Sequence, residues 1–213
     1  MDKNLKKILT EYRAKKNLYA EYCNVVHVLL ENILHSGNYK YHMNSRVKEI
    51  NSLKEKVKAK KQRGKIYKQL SDVKDIAGIR VVFYTDSERK RFIYSLRNEF
   101  EKKIIVQETE KKTGYRSTHI IVNFGNKRIR LSEYKKFKGL ECEIQLALIL
   151  NHAWAEVEHD ILYKDDLHLN NLDEKKYSLL KQRMQKVMDN YIKNASNELE
   201  EIVGYVKRLK KHK

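Results

Sequence analysis

Two acidic residues stand where a carboxylate is costly. Asp75 directly precedes the apolar run IAGIRVVFY, residues 76–84, and Glu143 lies inside LECEIQL, residues 140–146. A carboxylate among core residues is unfavourable unless it binds a metal, a proton or a partner. Alternation allows a second reading of Glu143, in which Glu141, Glu143 and Gln145 share the wet face of a strand. If Asp75 and Glu143 meet at one sheet edge, one can hold Mg²⁺ while the other takes a proton from an attacking hydroxyl.

Cations stand near them in sequence. Arg46 and Lys48 open a basic segment, and Ser52 and Lys56 follow Lys48 at i+4 and i+8. On a helix over 44–62, with Asn44 or Ser45 as N-cap, Lys48, Ser52 and Lys56 share one face. A cationic face with a hydroxyl suits a triphosphate. Arg80 interrupts an apolar strand, where its guanidinium either stacks on a base or pairs with an acid. The stretch TGYRSTH, Thr113 to His119, gathers Tyr115, Arg116, two hydroxyls and His119 after a glycine, at the entry to the apolar run HIIVNF. His152, Glu156 and His159 share a helix face but do not make an H-E-x-x-H zinc pattern, and they read as surface or supporting polar residues.

Composition narrows the setting. The chain has 213 residues, 41% of them apolar, so it can bury a substantial core. Its net charge of +18 points to nucleic acid or another polyanion as a partner, although a lysine-rich composition alone also raises charge. Lys54 to Lys68 is crowded with lysine and arginine against one acid, Glu55. Two cysteines, Cys23 and Cys142, form no disulfide framework and read as free thiols. The N-terminal MDKNLKKILTEYR is charged from its second residue, and no apolar run approaches the roughly 18 residues of a membrane span. These features predict a cytoplasmic protein.

The elements that must position these residues follow from periodicity. Residues 4–35 predict one long helix or two close ones, with Lys15 and Lys16 falling where the apolar stripe breaks and Gly37 as the stop. Strands are expected at 76–84, 104–107, 119–124, 127–132 and 140–146, the third and fourth joined at Gly125-Asn126. Helices are expected over 87–101, from about 146 to 161, and through most of 171–212. Helices at both ends around a short sheet give an α+β or mixed α/β domain.

The fragments SRVKEINSLKEK, DIAGIRVV, TGYRSTH, ECEIQ and HAWAEVEHDILYK run in that order over about residues 44–164. Together they resemble the synthetase domain of the RelA/SpoT alarmone-synthetase family. The resemblance implies a nucleotidyltransferase-like α+β fold, with a mixed, mainly antiparallel sheet of about five strands flanked by N- and C-terminal helices. It implies a single synthetase domain over 1–213, with core motifs at 44–164 and helical flanks at 1–43 and 165–213. It also implies transfer of the β,γ-pyrophosphate of ATP to a 3′-hydroxyl. Asp75 then matches the magnesium-binding aspartate, and Glu143 matches the glutamate that assists magnesium and deprotonates the acceptor. Arg46 and Arg80 match the adenine sandwich, and Lys48, Ser52 and Lys56 the ATP-phosphate segment. Tyr115 matches the tyrosine on which the acceptor base stacks, with Arg116 and His119 in the same acceptor loop.

Two departures bear on the acceptor. The family commonly reads EIQIRT where this chain has EIQLAL, with Ala147 and Leu148 replacing Arg and Thr. The loop before the tyrosine is commonly of the form PKxNGY, and here it is ETEKKTGY. Fewer cations near the acceptor, on a strongly basic chain, resemble the toxic small synthetases of toxin–antitoxin pairs. That branch implies the 3′-CCA end of tRNA as acceptor, blocked translation, and a separate antitoxin protein as partner. Lys15 and Lys16, then the basic run 58–68, are the expected contacts to tRNA phosphates. The alternative acceptor is a free nucleotide, giving (p)ppGpp or (p)ppApp.

Overall fold

The computed structural model describes residues 2–101, 104–110, 116–163 and 173–211. The chain runs α1 (Lys3–Ser36), β1 (Tyr41–Val47), α2 (Ile50–Gln62), β2 (Ala77–Phe83), α3 (Asp86–Glu99), β3 (Ile105–Glu110), β4 (Arg116–Val122) and β5 (Cys142–Leu148). It ends with α4 (Ile149–Tyr163), α5 (Glu174–Val187), a π-helical turn at Met188–Ile192 and α6 (Lys193–Lys211). The five strands lie in the order β1-β2-β5-β4-β3. Only β2 and β5 are parallel; the other three pairs are antiparallel. This is the α+β fold with a mixed, mainly antiparallel sheet that the motifs imply.

Alternation along the strands gives the sheet two unlike faces. Ile79, Val81, Phe83, Ile120, Val122, Ile144 and Leu146 point one way and join a single apolar core with Ile8, Tyr12, Tyr22, Val26 and Leu30 of α1 and Phe92 and Leu96 of α3. Tyr22 lies at the centre of this core, edge-on to Phe124 at 5.1 Å. Burial drives its hydroxyl pKa up. The other face carries Asn44 and Arg46 from β1, Gly78 and Arg80 from β2, Glu143 and Gln145 from β5, and Ser117 and His119 from β4.

The N-terminal helix is continuous through Lys15 and Lys16. Asp2 caps its start by accepting from the Asn4 amide at 2.9 Å, and Gly37 ends it. Gly37 is required by space: an added Cβ would come within 2.1 Å of the Tyr39 ring. Tyr12 donates its hydroxyl proton to the Lys48 carbonyl oxygen, tying α1 to the loop after β1.

Two expected elements differ. The helix expected over 44–62 begins only at Ile50, with Glu49 rather than Asn44 or Ser45 at the N-cap position. Residues 41–47 form β1, an edge strand whose side chains are mostly half-buried or exposed, so it lacks the apolar run that marks an interior strand. The KRIRLS segment is not a strand but contains a 3₁₀ turn, Arg128–Arg130. There Arg128 pairs with Glu99 and lies over the Phe124 ring at 5.2 Å. Side-chain demands, not β-propensity, decide that turn.

The last helix is docked by its polar side. Glu200 accepts from the Ser87 amide at 3.2 Å and Lys207 pairs with Glu88 at 4.0 Å, while Leu199, Ile202, Val206 and Leu209 are exposed. Among the described residues, no helix is long and apolar enough to cross a membrane.

Candidate active site

Two rows of residues cross the sheet on the face opposite the main core. The strand register aligns Arg46, Gly78 and Glu143 in one row and Asn44, Arg80, Gln145 and His119 in the next. Asp75 sits just before β2, and all of these except His119 line one cavity of about 210 Å³ together with Ser45 and Ile79. The acids Asp75 and Glu143, far apart in sequence, thus border the same space, flanked by Arg46 and Arg80.

Asp75 is held by two lysines. Lys56 Nζ lies 2.6 Å and Lys48 Nζ 3.2 Å from Asp75 Oδ2. Burial pushes the Asp75 pKa up, but the hydrogen bond and charge of Lys56, reinforced by Lys48, outweigh it and hold the carboxyl below the usual range. The second oxygen, Oδ1, is buried with no hydrogen-bond partner. A buried carboxylate oxygen left unpaired in this way fits a hard cation such as Mg²⁺. Among the described residues, no group of three or more His, Cys, Asp or Glu side chains could hold a metal. An ion at Asp75 would therefore take further oxygens from substrate phosphates and water.

Lys48 and Lys56 meet at Asp75 by a route different from the shared helix face. Lys48 precedes α2, and its amide donates to the Ile76 carbonyl at 2.8 Å. Only Lys56 projects from the helix. Ser52, on the first turn of α2, is exposed and does not border the cavity.

Glu143 is fixed at both oxygens. His119 Nδ1 lies 3.1 Å from Oε1, and Gln145 Nε2 donates to Oε2 at 3.1 Å. Ser117 Oγ lies 2.8 Å from His119 Nε2. A neutral ring protonated at Nδ1 donates to Glu143 and accepts the Ser117 proton, so the network has a consistent set of donors. Both Glu143 oxygens keep a second lone pair for a reacting hydroxyl or an ion. Gln145 and Ser117 are additions to the residues read from sequence. Counting two positions on from Glu143, and two back from His119, places each on the same strand face.

Arg80 pairs with Glu156 at 2.7 Å, on the face of α4 that also carries His152. Burial, then the charge of Arg80, lowers the His152 pKa. Tyr115 lies outside the described residues. Arg116 opens β4, but its side chain is likewise outside them. Lys15 is exposed on α1, and Lys16 Nζ pairs with Glu49 Oε2 at 3.3 Å, next to Lys48 in the chain.

The chain resembles known proteins in sequence and in fold. A family profile described as the region found in RelA / SpoT proteins matches residues 45–168. The GTP pyrophosphokinase YwaC of Bacillus subtilis (strain 168) is 31% identical over 144 residues, 66% of this chain and 64% of that protein. The chain thus spans less than two thirds of that relative. The small alarmone synthetase 1 of Bacillus subtilis, in a crystal structure bound to its product pppGpp, superimposes with a TM-score of 0.70 at 21% identity, covering 93% of this chain and 99% of that one. A GTP pyrophosphokinase family protein from Streptococcus pneumoniae gives 0.63 at 22% identity, covering 93% of each chain. The structural likenesses establish the fold, and the profile, spanning both acids, the lysines and the His119 strand, establishes that this chain belongs to the RelA/SpoT family.

Proposed function

We propose that this protein is an ATP-dependent pyrophosphokinase that moves the β,γ-pyrophosphate of ATP onto a 3′-hydroxyl. The observation that carries this reading is the single cavity bordered by a lysine-paired Asp75 and a doubly clamped Glu143. Glu143 takes the proton as the hydroxyl oxygen bonds to the β-phosphorus. The bond from that phosphorus to the α–β bridging oxygen breaks, and AMP leaves. Lys48 and Lys56 each retain N–H donors beyond those on Asp75, and these offset charge on the transferring phosphates. Magnesium, when bound at Asp75 Oδ1 with Glu143 assisting, supplies further charge neutralisation. Arg46 and Arg80 flank the adenine, and Ser52, exposed on α2 outside the cavity, is assigned to the phosphate segment by the family motif alone. Tyr115, Arg116 and His119 form the acceptor side.

The acceptor in this proposal is the 3′-CCA end of tRNA, and the protein acts as a translation-blocking toxin held by an antitoxin protein. The support is the charge of +18 together with Ala147 and Leu148 where the family commonly carries Arg and Thr. Alternation puts position 147 on the same strand face as Glu143 and Gln145, so an arginine there would have added a cation to the acceptor side. A guanosine nucleotide is the second reading, favoured by the GTP pyrophosphokinase name of the 31%-identical relative. Incubation with ATP labelled on the γ-phosphate, deacylated tRNA and GDP or GTP separates them. Label in the RNA supports the first, and label confined to guanosine products overturns it.

A further inference from the structure

The stretch HAWAEVEHD, residues 152–160, lies within α4, and the proposed reaction gives it no part. Two of its side chains nonetheless reach the edge of the transfer site. Arg80 Nη1 donates to Glu156 Oε1 at 2.7 Å, and His152 Nδ1 lies 3.5 Å from the same oxygen. His152 and Glu156 stand four residues apart, so they share one face of the helix.

That face has a firm mount. Helix α4 begins at Ile149, directly after β5 ends at Leu148, and Trp154 and Leu162 bury its other side. Glu156 therefore projects from a helix continuous with the strand that carries Glu143 and Gln145. Arg80 stands beside Gln145 in the strand register and borders the cavity. A guanidinium holds its five N–H donors in one plane. An acceptor at the edge of that plane restrains its orientation and leaves both flat faces open for stacking. The other arginine of the cavity is unlike it. Arg46 is exposed and, among the described residues, has no ion pair.

We infer that Glu156 is a positioning residue for ATP: it holds Arg80 at the cavity edge before the nucleotide arrives, so that Arg80 is the fixed wall against the adenine and Arg46 the wall that orders on binding. This role rests on the pyrophosphokinase reading, in which the two arginines flank the adenine. Glu156 itself touches no substrate. A side chain ordered in advance spares the entropy of ordering it on binding, which amounts to about two- to tenfold in affinity. The pair is partly open to water, and screening keeps its effect within that modest range.

Glu156 is an exposed helix position, where alanine is well tolerated, so its variants fold. Calorimetry measures binding of the α,β-methylene analogue of ATP, whose α–β bridge does not break, to the full chain. The variants are Glu156→Ala, Glu156→Gln, Arg80→Ala and the double change of Arg80 and Glu156 to Ala. Kd should rise about two- to tenfold in Glu156→Ala and less in Glu156→Gln, which keeps an acceptor oxygen. The kcat for AMP release at saturating ATP should hold in both. Once Arg80 is alanine, the further change Glu156→Ala should add nothing, because its whole effect passes through Arg80. Unchanged or tighter binding in Glu156→Ala, or an equal added loss in the Arg80→Ala background, overturns the inference. Weakened binding in Arg80→Ala with Glu156→Ala silent removes this inference alone. Binding by Arg80→Ala as tight as wild type removes the adenine assignment as well. AMP release by the wild type is followed separately, so failure of the transfer reading is seen on its own.

Discussion

Lys56 Nζ lies 2.6 Å from Asp75 Oδ2, joining the second helix to the residue that enters β2. The same carboxylate oxygen also meets Lys48, leaving Asp75 Oδ1 as the free oxygen in a mostly buried setting. In the proposed reaction a carboxylate so placed has two jobs: to fix Lys48 and Lys56 beside the phosphates and to present one oxygen to a cation.

Asp75→Asn should separate these jobs from folding. Turnover of ATP is expected to fall at least a hundredfold, consistent with losing a charged group at the reacting phosphates. Because the Asp75 pKa is lowered in the folded state, its pairing stabilises the protein above the ordinary carboxylate pKa, and this contribution is lost as pH falls through the lowered value. Urea unfolding at pH 7 and in the acid range should therefore show a smaller pH dependence for Asp75→Asn than for wild type. An unchanged pH dependence would remove the lysine pairing from the account.

The clamp on Glu143 predicts a split between rate and binding. Gln145→Leu and His119→Gln each remove one of its two hydrogen bonds, and kcat should drop about ten- to a hundredfold with the KM for ATP little changed. Steady-state kinetics at saturating acceptor measures it. A rise in KM for ATP without loss of kcat would place these residues in ATP binding instead.

Tyr115→Ala addresses the acceptor. Loss of one base-stacking platform is worth about 1–3 kcal/mol. The KM for the acceptor should rise roughly tenfold to a hundredfold, with Tyr115→Phe close to wild type. Equal behaviour of the two variants would make the hydroxyl, not the ring, the working group.

Lys15→Ala tests polyanion contact more cleanly than a change at Lys16, because Lys16 is paired with Glu49 beside Lys48. If Lys15 meets an RNA phosphate, binding to tRNA should weaken and the slope of log affinity against log salt should shrink by about one, with ATP affinity unchanged. An unchanged slope would remove Lys15 from the RNA path.

The parts legible in sequence were those with strong local signals. The α1 stripe, the apolar strand at 77–83 and the alternation around Glu143 all lead to the observed elements. The open alternative for Glu143 is resolved by geometry: alternation does turn it away from the core, and that face is the one bearing Arg46, Arg80 and Asp75. Strand β1 was hidden because an edge strand needs no apolar alternation, and YHMNSRV shows little. Taking it for helix put Lys48 on α2. The meeting of Lys48 and Lys56 at Asp75 is a tertiary fact, set by the Lys48 amide on Ile76 and by Tyr12 on the Lys48 carbonyl, with no trace in residue spacing. Arg80 pairs with Glu156, on a helix well beyond it in sequence, while still bordering the cavity with Arg46.

The most direct test follows AMP. Purified protein is given ATP, magnesium and each acceptor in turn, and the adenosine products are resolved. The account predicts one AMP released per pyrophosphate appearing on the acceptor, and loss of both by about 10²–10⁴-fold in Glu143→Gln. Release of ADP and phosphate in place of AMP, or full activity in Glu143→Gln, would contradict it.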